Sequence, residues 1–223
     1  MTEKTVSQQK PWMKYYANEK DTDIPKMKVY SYLKETNKHR PNGVIMYYYG
    51  AKITFKRFVE RIDECADAFA GIGVKRGDTV SLLSASTPES IISFYALNKI
   101  GATLNAIDPR LDKKSISRMI RSSGSKVLMA IDIAYQQVAP ILDEINQEHI
   151  IIQTAATSLP PVKKFALKLA QGGNSIPYGK RGIMNWDSFI THANSPLRPR
   201  RSMRVMRPQL SPTPVVLPDF RRE

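Results

Sequence analysis

The chain has 223 residues, 42% hydrophobic and 24% charged, with a formal net charge of +14 and a pI near 9.9. That is apolar material for one substantial core or two small ones; no run approaches the roughly 20 apolar residues of a membrane-spanning helix, and Met1–Lys10 lacks the apolar stretch of a signal peptide, so a cytoplasmic protein is expected. The single cysteine, Cys65, excludes an internal disulfide, and His39, His149 and His192 are too scattered to give a metal-ligand spacing.

The stretch "KPWMKYYANEKDTDIPKMKVYSYL" is polar with interleaved aromatics and is expected to lie across a domain surface before a helix from Val29 to Lys38. "VIMYYYGAKITF" reads as a small hairpin turning at Gly50, with Tyr47, Tyr48 and Tyr49 as strand residues. In "TFKRFVERIDECADAFAGIG" the apolar positions Phe55, Phe58, Val59, Ile62, Cys65, Ala66, Phe69 and Ile72 recur every three or four residues, one face of a helix. Thr54 caps its start, and Gly71 and Gly73 end it in a left-handed turn.

"DTVSLLSAS" then reads as a buried strand from Thr79 to Ser84, and "TPESIISFYALNKIG" as a helix with Thr87 at the N-cap and Pro88 at the first helical position. "ATLNAIDP" is a strand stopped by Asp108 and Pro109. A helix from Asp112 to Ser123 follows, then a strand at Lys126–Ile131, a Pro-interrupted helix to Ile145 and a strand at "HIIIQT". Repeated strand-helix alternation predicts an α/β fold, a mainly parallel sheet with flanking helices and right-handed crossovers. Beyond it come a short basic amphipathic helix in "PPVKKFALKLA", a loop in "QGGNSIPYGKRG" and one or two helical turns in "NWDSFITHA".

Candidate chemistry is sparse. "GIGVKRG" lacks the third glycine of a dinucleotide fingerprint, having Arg76 there, and follows a helix instead of a strand, so it reads as a helix-ending turn. Ser84 and Ser86 sit at the carboxyl end of a strand, where open parallel sheets bind ligands, and otherwise form a polar strand-to-helix turn. Cys65 lies on an apolar helix face and reads as core. The tyrosine triplet lacks the basic groove of a base-stacking platform. Lys163, Lys164 and Lys168 beside Phe165, Leu167 and Leu169 read as a solvated helix face, with peripheral membrane contact as the other reading. These residues give a fold and assign no catalytic, cofactor-binding or metal site.

Charge is distributed unevenly. From Ser195 onward seven arginines, no lysine, two acids and six of the fifteen prolines occur, so the last 29 residues hold +5 of the total. The preceding 194 hold nineteen lysines against eight arginines and a net +9. This places a compositional boundary near Ser195. A non-catalytic basic binding module for nucleic acid or an anionic membrane surface, or an interaction domain whose tail folds on a partner, remains the alternative function, weakened because the charge excess is partly confined to that tail.

Thr54–Pro109 resembles the opening of the large domain of the AMP-forming adenylating superfamily, which includes acyl-CoA synthetases. The likeness is carried by the Thr-aromatic helix start, the "GVKRGDTV" turn into a strand, and "ALNKIGATLNAIDP". It continues through "LDKKSISRMIRSSGSKVLMAID", and "KPWMKYY" resembles the start of bacterial long-chain acyl-CoA synthetases; in all it covers about residues 10 to 193. The resemblance implies that the parent protein activates a small carboxylic acid, a fatty acid being favoured, with ATP, Mg2+ and CoA as cofactors, through an acyl-adenylate that the CoA thiol then opens. It implies neither a nucleic-acid partner nor a partner protein.

The family's phosphate-gripping loop, ending in Gly-x-Pro-Lys-Gly, is expected soon after Asn194 and is absent as translated. Codons can be chosen for Pro212–Glu223 so that the neighbouring register reads Tyr-Thr-Gly-Gly-Thr-Thr-Gly-Phe-Pro-Lys-Gly, the missing loop at the expected place. The expectation is therefore a frameshift between about Ala193 and Ser202. It divides the chain into an extension and hairpin at 1–53, a partial AMP-binding domain at 54–194 and a disordered, frameshifted tail at 195–223, with the chain alone inactive. A truncated parallel sheet is also expected to leave unpaired edges and an uncovered apolar face.

Overall fold

The computed structural model describes residues 25–160 and 176–193. The segment before Pro25, the expected basic helix around Lys163–Lys168 and the tail from Asn194 lie outside the described residues.

Helix α1, Val29–Asn37, leads into the hairpin β1, Val44–Tyr48, and β2, Ala51–Thr54. The turn between them uses Tyr49 and Gly50, both at positive φ (48° and 95°), so Tyr49 is a turn residue and not the strand residue its sequence suggests. Such paired left-handed residues match the twist of the two strands. Thr54 ends β2 and caps α2, Phe55–Gly71, its hydroxyl accepting from the Arg57 N–H at 3.3 Å. Of the two glycines expected to form a left-handed exit, only Gly73 has positive φ; Gly71 is the last helical residue.

From there strand and helix alternate as the sequence implies: β3, Thr79–Leu83; α3, Pro88–Ile100; β4, Thr103–Ile107; α4, Lys113–Ser122; β5, Val127–Ile131. The expected Pro-interrupted helix is a broken path, because Pro140 has no N–H to sustain an α-helical ladder. It holds the short helices α5, Tyr135–Val138, and α6, Leu142–Ile145, with a 3-10 turn at Ala139–Ile141 between them. Strand β6, His149–Gln153, then precedes β7, Ile183–Asn185, and α7, Trp186–Ala193. Strand β7 is unforeseen by periodicity, since three residues cannot show an alternation.

Five strands form one parallel sheet in the order β4-β3-β5-β6-β7. Central β5, VLMAI, is buried at every position, the continuous apolar run of a strand covered on both faces. Side chains alternate between two cores. Val80, Met129 and Ile151 meet Phe58, Ile62, Phe69, Ile92 and Leu97 of α2 and α3 and Phe189 of α7. Leu83, Leu128, Ile150 and Ile183 meet Ile116 and Ile120 of α4 and Val138 of α5.

The expected uncovered apolar face is thus overturned: α2, α3 and α7 seal one side, α4 to α6 the other. Among the described residues the sheet ends at β4 and β7. Strand β7 fits only because of Gly182 before it, at φ 70°, where a Cβ would lie 2.3 Å from the Glu148 carbonyl oxygen. Helix α1 is tied to α2 and α3 through Tyr30, whose hydroxyl donates to Asp63 at 2.7 Å, with Lys99 on the same carboxylate at 2.7 Å. Burial, then the Asp63 bond, push the Tyr30 phenol well above its ordinary pKa. No helix among the described residues is long and apolar enough to cross a membrane.

Candidate functional site

Since β3 connects outward to β4 while the chain later returns on its other side as β5, the topological switch point lies between β3 and β5. Ligands of open parallel sheets bind outside the carboxyl ends of the strands at such a point. The residues gathered near that edge come from β3, α3, β6 and α2.

Ser84 follows β3 and Gln153 ends β6; the Gln153 amide reaches across to donate to the Ser84 hydroxyl and, at 2.9 Å, to the Ser90 hydroxyl. Ser90 also donates to the Ala85 carbonyl at 3.0 Å, and its own N–H goes to the capping Thr87 hydroxyl at 3.2 Å. Ser86, the other serine of the turn, is exposed. The start of α3 is therefore closed by its own side chains, as a capped helix start requires.

Behind this turn lies an ion pair. Arg61 of α2 meets the Glu89 carboxylate of α3 at 2.7 Å; Ser158 donates to the same carboxylate oxygen at 2.5 Å and accepts from Arg61 at 2.9 Å. The Glu89 side chain is 0% exposed and that of Arg61 16%. Glu89 sits in the first turn of α3, where the helix dipole favours a carboxylate. Its second oxygen, Oε2, and the Gln153 Oε1 have no partner among the described residues. Nearby, Tyr48 donates to the Ala155 carbonyl at 3.0 Å, and burial first, then the Glu89 charge, raise its phenol pKa. Arg61 and Ser158 also border a groove of about 460 Å³ between β2, α2, the 157–159 loop and α7.

These residues do not fit a nucleotide triphosphate. In the switch-point turn the Ser90 N–H is taken by the Thr87 hydroxyl and the Thr87 N–H by the Ala85 carbonyl, which leaves them unavailable to a phosphate, and a fully buried carboxylate stands behind it. Among the described residues no group of three or more His, Cys, Asp or Glu side chains is placed to hold a metal ion. Cys65 is buried in α2 beside Ser93, and burial pushes its thiol far above the ordinary value, which keeps it an unreactive core residue.

The Arg61–Glu89 pair escaped sequence reasoning, although both residues carry a signal. Arg61 falls on the apolar stripe of its helix, between Phe58 and Cys65 at helical spacing, and Glu89 is the one acid in an otherwise apolar or polar helix. A charge on each of two packed apolar faces points to a buried pair.

The family model for AMP-binding enzymes matches residues 33–188. The long-chain-fatty-acid–CoA ligase of Bacillus subtilis is 21% identical over 168 residues, 74% of this chain and 30% of that protein. Among solved structures, coronafacic acid ligase from Pectobacterium brasiliense superposes with a TM-score of 0.61 at 18% identity, covering 74% of this chain and 29% of its own. The anthranilate CoA ligase AuaEII superposes with a TM-score of 0.56 at 23% identity, covering 60% and 26%. The chain thus spans about 30% of the length of the curated relative it matches most extensively here, and its parallel-sheet fold is that of adenylating enzymes.

Proposed function

The chain belongs to the AMP-binding enzyme family, and on that premise we propose that it is the opening part of an ATP-dependent, AMP-forming acyl-CoA ligase whose substrate is a fatty acid. The observation that carries this reading is the family match over 33–188, which spans every described strand from β1 to β7. The Bacillus subtilis relative favours a fatty acid, while the likeness to an anthranilate CoA ligase makes an aryl acid the competing substrate class.

In this reading no catalytic step is assigned to the described residues. Under this reading the chain supplies a sealed sheet-and-helix platform, and the residues that contact ATP, Mg2+, CoA and the carboxylate lie in sequence that this translation does not contain. We hold the segment from about Ala193–Ser202 to Glu223 to be read in a shifted frame, with its arginine and proline excess as the by-product.

The test is to sequence the gene and its transcript across codons 190–223 and beyond, express both this chain and the frame-restored product, and measure pyrophosphate release. ATP, CoA and a panel of fatty and aryl carboxylates are supplied. We expect no release from the 223-residue chain and release with fatty acids from the restored protein. A folded restored protein that activates no carboxylate sinks the ligase reading; preference for aryl acids sinks only the substrate class.

A further inference from the structure

We propose that the outer face of α4 docks on an anionic phospholipid bilayer. Lys114, Arg118 and Arg121 stand at positions i, i+4 and i+7 of that helix. At 100° and 1.5 Å per residue they fall within about 60° of arc and over about 10 Å of length. Lys113 adds a fourth cation in the first turn, and all four are exposed while Ile116, Ser117 and Ile120 face the core.

Among the described residues none of these four meets a carboxylate, whereas Arg57 of α2 pairs with Glu60 and Glu64, Lys126 with Glu148 and Arg181 with Asp143. The acids on and beside α4 are committed elsewhere. Asp112 caps the helix, accepting from the Ser115 N–H and hydroxyl at 3.0 and 2.7 Å; Glu144 of α6 accepts from Ser117 at 2.9 Å; Asp143 holds Arg181 at 2.8 Å. Like charges four residues apart work against a helix, so the row is a local cost without a local partner. Other cations with no carboxylate partner among the described residues, such as Lys34, Lys56 and Lys75, lie apart from one another, on α1, on α2 and in the turn between α2 and β3.

The chemistry of the row selects its partner. Tight nucleic-acid binding draws on about six to ten phosphate contacts or on aromatic stacking, and α4 offers a short row and no aromatic. A specific protein interface needs a buried apolar or aromatic anchor within a polar rim, and the exposed side of α4 presents only cations and Ser122. A negatively charged lipid surface needs neither, because each Lys or Arg near it adds its attraction independently. This inference does not depend on the ligase reading.

The experiment is co-sedimentation of the full 223-residue chain with vesicles of phosphatidylcholine alone and of phosphatidylcholine with phosphatidylglycerol, at low and physiological salt. It compares wild type, the row variant Lys114→Gln/Arg118→Gln/Arg121→Gln, and the charge-matched variant Lys34→Gln/Lys56→Gln/Lys75→Gln. Removing like-charge repulsion leaves α4 at least as stable, and circular dichroism confirms the fold. We expect wild type to bind only the anionic vesicles, more weakly as salt rises. At about fivefold per cation, the row variant loses about a hundredfold in affinity, and the matched variant loses little.

Equal losses in the two variants, an unaffected row variant, or wild-type binding that ignores phosphatidylglycerol or is absent would each overturn the proposal. So would a row variant that keeps its vesicle affinity but loses binding to a DNA duplex or an acidic peptide.

Discussion

The two faces of the sheet are sealed by different means. On the side of α2, α3 and α7 the helices bring aromatic rings and charge inward: Phe69 and Phe189 stack edge to face at 5.0 Å between centroids, and Arg61 and Glu89 are buried together. On the side of α4 to α6 the core is almost wholly Ile, Leu, Val and Ala, and charge is kept outside, most visibly in the row on α4. The first face couples its helices to one another by specific polar geometry. The second is held by shape and burial, which leaves its outer surface free to carry a charge pattern set by something other than folding.

That contrast can be broken first at its cores. Phe69→Ala removes a ring that is 0% exposed and is expected to cost about 3–5 kcal/mol, against about 2–5 kcal/mol for Ile120→Ala, also 0% exposed, on the opposite face. Because both cores share β3, β5 and β6, each variant should still unfold in one transition with an unchanged urea slope. Two separate transitions in either variant would show that the faces fold independently and that the sheet does not couple them.

The buried pair sharpens the comparison next. Glu89→Gln leaves Arg61 without its counter-charge and is expected to cost about 3 kcal/mol, near the lower end for breaking a buried pair because Arg61 keeps some solvent contact. Replacing both partners, as Arg61→Met with Glu89→Leu, is expected to recover most of that loss, since it also removes the unpartnered Oε2. A denaturant titration of the three proteins decides it. A double variant no better than the single one would mean that the pair, with Ser158, fixes the loop after β6 more strongly than its burial suggests.

Legibility in the sequence follows the same division. The helices α2, α3 and α4 and strands β3 to β6 could be placed because each carries a long periodic signal or a strong boundary residue: Thr54 and Thr87, with Pro88 after it, cap where expected, and the helix expected from Asp112 starts there with Asp112 as its cap. Strand β7 was invisible because three residues hold no period and its place depends on Gly182 passing close to Glu148, a contact distant in sequence. The turn role of Tyr49 was hidden by two tyrosines of strand type before it. As for the candidate site, Ser84 was reachable from its place at a strand end. Arg61, Glu89 and Gln153 converge only after α2, α3 and β6 pack, so no local pattern announces them as a group.

The smallest expected effect lies at the sheet edge, where Asp108 follows β4 and holds the exposed Arg110 guanidinium at 2.6 Å. The Arg110 side-chain hydrogen bond, and then its backbone N–H, lower the Asp108 pKa from 3.8 to about 2. A depressed folded pKa means that the interaction is fully present above the unfolded value near 3.8 and is lost as pH falls through about 2. Because both groups are open to solvent, the contribution to global stability should be near nothing while the titration itself is plain. An NMR titration of the Asp108 carboxyl is therefore expected to show a midpoint near 2 in the wild type and a return toward 3.8 in Arg110→Gln, with unfolding midpoints indistinguishable at neutral pH. If the carboxyl titrates at its ordinary value in both, the pair does not persist in solution, and exposed charge on this edge would be as unengaged as the row along α4.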